Sequence, residues 1–191
     1  MDTCYFPSAG PHNTAASLER ALKYAQEANI KTIVLASTTG ATAQKMIEYR
    51  ANHPNLQLII VTHHTGFGIK GTQEFDKNIE AEIRNQPNCQ ILTTSHALSG
   101  VERSFRKEFK TMLPIEMVAL TLRRTFGDGT KVCMEIAIMA ADSGLVDTEN
   151  DVLCIGGTGR GADTVWQVRP STSNRLFDLR MKKLIAKPSE F

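Results

Sequence analysis

The 191-residue sequence contains no apolar run approaching the ~20 residues that a membrane-spanning helix requires. Its opening, Met1-Asp-Thr-Cys-Tyr-Phe-Pro7, has neither the basic start nor the apolar stretch of a secretory leader. Both absences predict a cytoplasmic protein with no membrane partner. Cysteine is sparse: Cys4, Cys89, Cys133 and Cys154 are scattered without a Cys-x-x-Cys pair. That argues against a zinc centre or a disulfide frame and for buried thiols in a reducing compartment. Aromatic residues make up 6% and the net charge is only +2, too little to suggest a nucleic-acid partner. No Gly-x-x-x-x-Gly-Lys-Ser/Thr loop and no Gly-x-Ser-x-Gly string occurs, so neither P-loop nucleotide hydrolysis nor a serine nucleophile elbow has support. Internal repeats, low-complexity tracts and Pro/Gly/Ser-rich linkers are absent too. One domain over residues 1–191 is expected, with 41% hydrophobic residues to fill its core.

What is present is organised around residues 31–50. Ile33 to Ala36 is an uninterrupted apolar run of the kind found in a strand buried on both faces. Ser37-Thr38-Thr39-Gly40 stops it, and Ala43, Met46 and Ile47 then recur at helical spacing. Ser and Thr in such a turn cap helices. The same turn also aims unpaired N–H groups and the positive end of a helix dipole at the space above the strand, which favours an anion. The hydroxyls of Ser37, Thr38, Thr39 and Thr42 add donors, and Gly40 permits close approach. No lysine or arginine stands in the turn, which predicts a shallow salt dependence for an anion bound there.

Upstream, Pro7, Gly10 and Pro11 punctuate the chain, and Asn13 or Thr14 caps a helix running to about Asn29. Downstream, 56–62 reads as a second buried strand ending in His63-His64-Thr65-Gly66-Phe67, and 75–86 as a helix. A third strand, 90–94, leads into Ser95-His96-Ala97-Leu98-Ser99-Gly100. Helices are expected at 102–110, with a basic face of Arg103, Arg106, Lys107 and Lys110, and at 115–125 after Pro114. The segment 130–143 is apolar nearly all round and is expected to be deeply buried or to face another subunit. The fourth strand, 151–155, runs into a glycine string, and 165–169 alternates as a strand. A last run, 177–185, fits an edge strand or a short helix and is read as a strand. The predicted fold class is α/β: three layers, α/β/α, with a mostly parallel sheet and an antiparallel edge. Ligands of such sheets collect outside the carboxyl ends of the strands, where every polar loop named above falls.

Gly157-Thr158-Gly159-Arg160-Gly161 leads into a strand, whereas the dinucleotide fingerprint opens a helix. It fits either a tight hairpin or a close backbone approach to a ligand, with Arg160 available to a phosphate. His63, His64 and His96 raise the question of a metal. Adjacent strand residues face opposite ways unless the strand has ended, and no carboxylate stands at ligand spacing, so no metal is expected. A histidine acting as donor or acid–base group at the ligand mouth and a purely structural histidine both stay open.

Asn13-Thr14-Ala-Ala-Ser-Leu-Glu19, Thr32–Leu35, the loop Ser37–Ala43, the helix end Glu48-Tyr-Arg50 and Asp151–Pro170 resemble the carboxy-terminal domain of pyruvate kinase. In that family the loop equivalent to Ser37–Ala43 grips a phosphate of an allosteric sugar bisphosphate. Ala41 departs from the pattern, since many pyruvate kinases carry a basic residue there. The resemblance covers most of 13–110 and 128–170 and includes no barrel or lid domain, which implies no pyruvate kinase activity. Asn13-Thr14, Ser37–Thr42, Thr62–Phe67, Ser95–Arg103 and Gly156–Thr164 are also similar to a small, largely archaeal family of stand-alone pyruvate kinase alpha/beta-domain proteins. That resemblance implies a flavin mononucleotide (FMN) type of ligand and brings no established reaction; the pyruvate kinase domain also helps assemble oligomers. The ligand-binding set it implies is Asn13, Ser37, Thr38, Thr39, Gly40, Thr42, His63, His64, Thr65, Gly66, Phe67, His96, Ser99, Gly157, Thr158, Gly159, Arg160, Gly161, Asp163 and Thr164. Phe67 and the paired histidines are expected to border the organic part of the ligand. The expectation is a homo-oligomer that binds a phosphorylated small molecule, with FMN as cofactor. The alternatives are a non-catalytic sensor holding a sugar phosphate or nucleotide, and an interaction domain whose glycine loops are only turns.

Overall fold

Alternate residues of the first central strand part company: Ile33 and Leu35 enter one apolar cluster and Val34 another, all three with no exposed surface. A side-chain period of two with both faces buried is what a strand covered by helices on each side must show. The computed structural model describes residues 1–191. Its strands are β1 (Cys4–Ser8), β2 (Thr32–Ala36), β3 (Gln57–Val61), β4 (Cys89–Leu92), β5 (Val152–Gly156), β6 (Thr164–Arg169) and β7 (Arg180–Glu190). They form one sheet in the order β1-β7-β6-β5-β2-β3-β4. β6 runs antiparallel to both β5 and β7, and every other neighbouring pair is parallel. β7 and β1 extend the sheet past the antiparallel strand, so β6 is flanked on both sides.

Helices α1 (Thr14–Glu27), α2 (Ala41–Arg50) and α3 (Lys77–Arg84) cover one face through Leu18, Leu22, Met46 and Ile83. The other face is covered by α6 (Asp128–Asp142) with α5 (Pro114–Phe126) outside it, and α4 (Glu102–Phe109) buries no residue. The three-layer α/β/α architecture is thus the one the sequence pattern predicts. Local chemistry places the helix ends. Asp76 accepts from the N–H groups of Asn78 (2.8 Å) and Ile79 (3.1 Å) to start α3. Glu102 of α4 accepts from Ile115 and Glu116 at the start of α5, tying the two helices together. Gly144, at φ +68°, terminates α6, with Leu145 N–H donating to Ala140 O.

Two features differ from expectation. The punctuated start contains a strand, because β1 pairs on one side only and an edge position tolerates Pro7. The last run is a strand but not at the edge: a 3₁₀ segment, Ser173–Asp178, precedes β7, which β1 covers. Helix α6 follows the first of its two expected readings, being buried by its own chain at 11 of its 15 positions. Most of the exposed large apolar side chains lie on and beside α4 and α5, among them Phe105, Phe109, Met117, Leu120 and Phe126, while Tyr5, Ile69 and Phe177 are exposed elsewhere. Cys133 and Cys154 are buried and burial pushes both thiols up, while Cys4 and Cys89 are half-buried and free. No helix is long and apolar enough to cross a membrane.

Candidate ligand cleft

Strands β2 and β3 end side by side, with Ser37 N–H donating to Val61 O at 3.0 Å. The turn after β2 and the loop after β3 therefore begin as neighbours. A cleft of about 510 Å³ opens above them, within the size range of small-molecule sites. Of the expected residues, Ser37, Thr38, Thr39, Thr42, His63, Phe67, His96, Gly157, Gly159, Arg160 and Gly161 line it.

The turn is built around two constraints. Ser37 Oγ accepts from Ala43 N–H (3.3 Å), and Gly40 adopts φ +98° so that Gln44 N–H reaches Gly40 O at 2.8 Å. The N–H groups of Thr38, Thr39 and Gly40 find no acceptor in the chain, and the hydroxyls of Thr38, Thr39 and Thr42 make no hydrogen bond. Donors left unused at a helix start are the physical signature of an anion site. The role expected of Gly40 changes, however. A Cβ there would stand 2.8 Å from Ile79 Cγ2, so α3 and the left-handed backbone demand the glycine, and the residue does not line the cleft.

Charge reaches the cleft from outside the turn. Lys45, Arg103, Arg123, Lys131 and Arg160 line it, against Asp128 and Glu135. Arg123 pairs with Asp128, and Lys131 pairs with Glu135 at 2.5 Å. Lys45 and Arg160 form no ion pair. The shallow salt dependence expected from the turn alone leaves these cations out of account.

The opposite wall is aromatic. β3 stops at Val61, so His63 and His64 are free of strand alternation and both rings approach Phe67, at 3.8 and 5.5 Å between centroids. Phe67 stacks on His96 at 5.2 Å, and the Arg103 guanidinium sits 4.8 Å from its ring centroid. His63 Nδ1 lies 2.9 Å from Glu74 Oε2. His96, 9% exposed, has its Nδ1 3.8 Å from Glu135. Burial drives the His96 pKa down to about 4 against the pull of Glu135, so this imidazole is neutral near pH 7. Burial likewise lowers the Lys131 pKa, with Glu135 opposing. Burial raises that of Glu135, but Lys131, His96 and the Leu98 N–H together hold the carboxyl below its usual range. No group of three or more His, Cys, Asp or Glu side chains is arranged to hold a metal ion.

Other expected residues hold the frame. Asn13 Nδ2 donates to Ser8 O, and Ser99 Oγ accepts from Arg103. Asp163, fully buried, accepts from Gly10 N–H and Thr158 N–H (both 3.1 Å) and from Thr164 Oγ1 (2.7 Å). His64, Thr65 and Gly66 continue the loop behind Phe67, where Gly66 N–H donates to Thr72 O. Asn13, His64, Thr65, Gly66, Ser99, Thr158, Asp163 and Thr164 do not line the cleft. Lys45, Lys131 and Glu135 line it without having been singled out, and Arg103 was read only as part of a basic face. One signal was available for the buried pair: Lys131 and Glu135 stand four apart in an otherwise apolar helix.

Residues 15–166 match the family described as pyruvate kinase, alpha/beta domain. Among solved structures, the chain is similar to a pyruvate kinase from Cryptosporidium parvum, at 14% identity and a TM-score of 0.40, covering 84% of this chain and 23% of that one. It is also similar to the Cryptosporidium parvum pyruvate kinase in complex with ADP, at 13% identity and a TM-score of 0.39, covering 77% and 21%. The chain thus spans less than a quarter of the length of these pyruvate kinases.

Proposed function

The chain belongs to the pyruvate kinase alpha/beta domain family, and from that premise we propose that it binds a phosphorylated small molecule with the phosphate on the Ser37–Thr42 turn. One observation carries the reading: the N–H groups of Thr38 and Thr39 and the hydroxyls of Thr38, Thr39 and Thr42 are unused, and these residues border a cleft that also receives the unpaired cations Lys45 and Arg160. The rest of the ligand lies along the wall of Phe67, His63 and His96. FMN is the first candidate, its ring system set against that wall. Purified protein that carries or takes up FMN is yellow. Calorimetry then compares FMN with riboflavin: preference for the phosphorylated form, lost in Thr39→Val, supports the anchor, and equal affinity for both forms removes it.

A sugar phosphate or nucleotide is the second reading, and a specific observation favours it. Only 7 of the 26 residues lining the cleft are hydrophobic, and the Phe67 ring already contacts His63, His96 and Arg103. A hydroxyl-rich ligand suits such a lining better than a tricyclic ring does. Self-association belongs to this proposal too, but through the exposed apolar side chains of α4 and α5 rather than through α6. A monomer in sedimentation at micromolar concentration would remove it.

A further inference from the structure

Two imidazoles in the cleft are each backed by a carboxylate. His63 Nδ1 is 2.9 Å from Glu74 Oε2, which leaves Nε2 without a partner in the chain. His96 Nδ1 lies 3.8 Å from Glu135 Oε2, and its Nε2 makes no hydrogen bond within the chain. The rings are 5.3 Å apart between centroids, and both line the cleft that holds the phosphate turn. Their surroundings differ. The Glu74 carboxylate accepts the Nδ1 proton of His63 and leaves a lone pair on Nε2, the arrangement of a base. Both oxygens of Glu135 are already engaged, one by Leu98 N–H at 2.9 Å and one by Lys131 at 2.5 Å, so His96 is free to carry its proton on Nε2 and to donate it. No Ser, Thr or Cys side chain is hydrogen-bonded to either ring in the cleft, so neither histidine activates a protein nucleophile and both are left to act on the ligand itself.

We propose that the cleft is catalytic, with His63 as base and His96 as proton donor in a 1,2-proton shift on a phosphorylated hydroxycarbonyl compound, a class within the sugar phosphates. A base and an acid facing one ligand suffice for that reaction, and no further reactant is needed. The C–H bond next to the carbonyl breaks and its proton moves to Nε2 of His63, whose positive charge Glu74 stabilises. The electron pair becomes the C=C bond of an enediol as the carbonyl oxygen receives the Nε2 proton of His96. His63 then returns its proton to the former carbonyl carbon while the neighbouring hydroxyl restores a proton to His96, so atoms and charge balance. The position of the pair fits a short substrate: β3 ends beside the phosphate turn, and His63 lies two residues beyond Val61, the residue whose carbonyl receives Ser37 N–H. Lys131 helps hold the Glu135 carboxyl below its usual range.

This inference rests on the phosphate-anchor reading, and its test separates the two. Dihydroxyacetone phosphate and ketose phosphates of four to six carbons are incubated with the full chain in D₂O, and proton NMR follows deuterium entering the carbon next to the carbonyl. Calorimetry of the same compounds against their dephosphorylated forms runs in parallel. The expected result is exchange with at least one of them, faster than without protein, with His63→Gln and His96→Gln each lowering it on the order of 100-fold or more while binding persists. Phosphate-selective binding without exchange, or exchange equally fast in both variants, overturns the inference and leaves the anchor standing. Absence of phosphate-selective binding overturns both. Far-ultraviolet circular dichroism confirms that each variant is folded, and Glu74→Gln, on a half-exposed loop, provides a second route to a weakened base should a histidine variant fail to fold.

Discussion

The Ser37–Thr42 turn and the Gly157–Gly161 loop face each other across one cleft, and both look like phosphate grips when read as strings of residues. Their hydrogen bonds tell them apart. The turn keeps its N–H groups and threonine hydroxyls uncommitted. The glycine loop is tied to the rest of the fold by side chains, since Asp163 gathers Gly10, Thr158 and Thr164 and Ala162 N–H donates to Thr14 Oγ1 at 3.0 Å, although the N–H groups of Gly157, Gly159 and Gly161 also find no acceptor in the chain. Its glycines answer to neighbours of the same chain. A Cβ on Gly157 would meet Gly161 O at 2.5 Å, and one on Gly161 would meet Thr14 Oγ1 at 2.4 Å. Glycine richness here records backbone packed on backbone, and what sets the turn apart as an anion grip is that free hydroxyls stand beside its unused N–H groups.

If that contrast is right, damage to the two loops separates into loss of stability and loss of affinity. The largest effect is expected at Asp163. Asp163→Ala strands the buried N–H groups of Gly10 and Thr158 and should destabilise the protein by about 3–5 kcal/mol in urea unfolding, since each lost bond to a charged acceptor costs ~1.5–3 kcal/mol. A change below about 1 kcal/mol would break the comparison.

Protons sharpen it next, through the aromatic wall of the same cleft. His96 is faced by Glu135, Lys131, His63 and Arg103, and its burial lowers the pKa from 6.5 to about 4. A group depressed in the folded state binds more protons when unfolded. Its contribution to stability is therefore complete above about pH 6.5 and is lost as pH falls towards 4, by about 3 kcal/mol in all. Denaturant titrations between pH 7 and pH 4 should show this slope in the wild type, and His96→Gln should flatten it.

Affinity is the third measure. Thr39→Val should leave unfolding unchanged within about 0.5 kcal/mol and weaken a phosphorylated ligand roughly 10- to 100-fold, the loss of one hydrogen bond to a charged group. Lys45→Met should weaken it by less than Thr39→Val and make the remaining affinity less sensitive to salt, because Lys45 is an unpaired cation at the cleft. Insensitivity of the wild type to salt would argue that these cations point away from the ligand. The smallest effect is expected at Gly159, which sits at φ +74° in open space, so that Gly159→Ala costs only the backbone strain of about 1–2 kcal/mol. Gly40→Val is a poor probe of the anchor, since Ile79 occupies the place of its side chain.

Periodicity made most of the sheet legible. The apolar runs at 33–36, 56–62 and 151–155 became β2, β3 and β5, and the alternation after Gly161 became antiparallel β6. What pattern could not reveal was pairing between distant segments. β1 is five residues long with a proline inside, and its only partner is β7, at the far end of the chain. Half of the cleft was legible for a similar reason: hydroxyls and glycines in loops announce themselves, but Lys131 and Glu135 are hidden within a helix whose apolar content dominates any average. Their meaning is tertiary, because only the fold brings Leu98 and His96 against them. Arg103 shows the same limit, being one cation of a basic face until Phe67 is seen beneath it.

The pairing of Cys4 with Ala186 and Phe6 with Pro188 has a consequence for how the molecule reaches its folded state. The first strand has no partner until residues 186–190 exist, and β6 also waits for β7 on its outer side. Closing so long a loop is entropically late, and rates fall as contacts become more distant in sequence. A nascent chain lacking residues 180–190 therefore carries β1 as an unclosed strand and leaves the outer side of β6 open. Since Gly10, which Asp163 holds, follows directly on β1, the glycine side of the cleft is the last part to set. The turn after β2, whose neighbours β3 and β5 come earlier, takes shape before it.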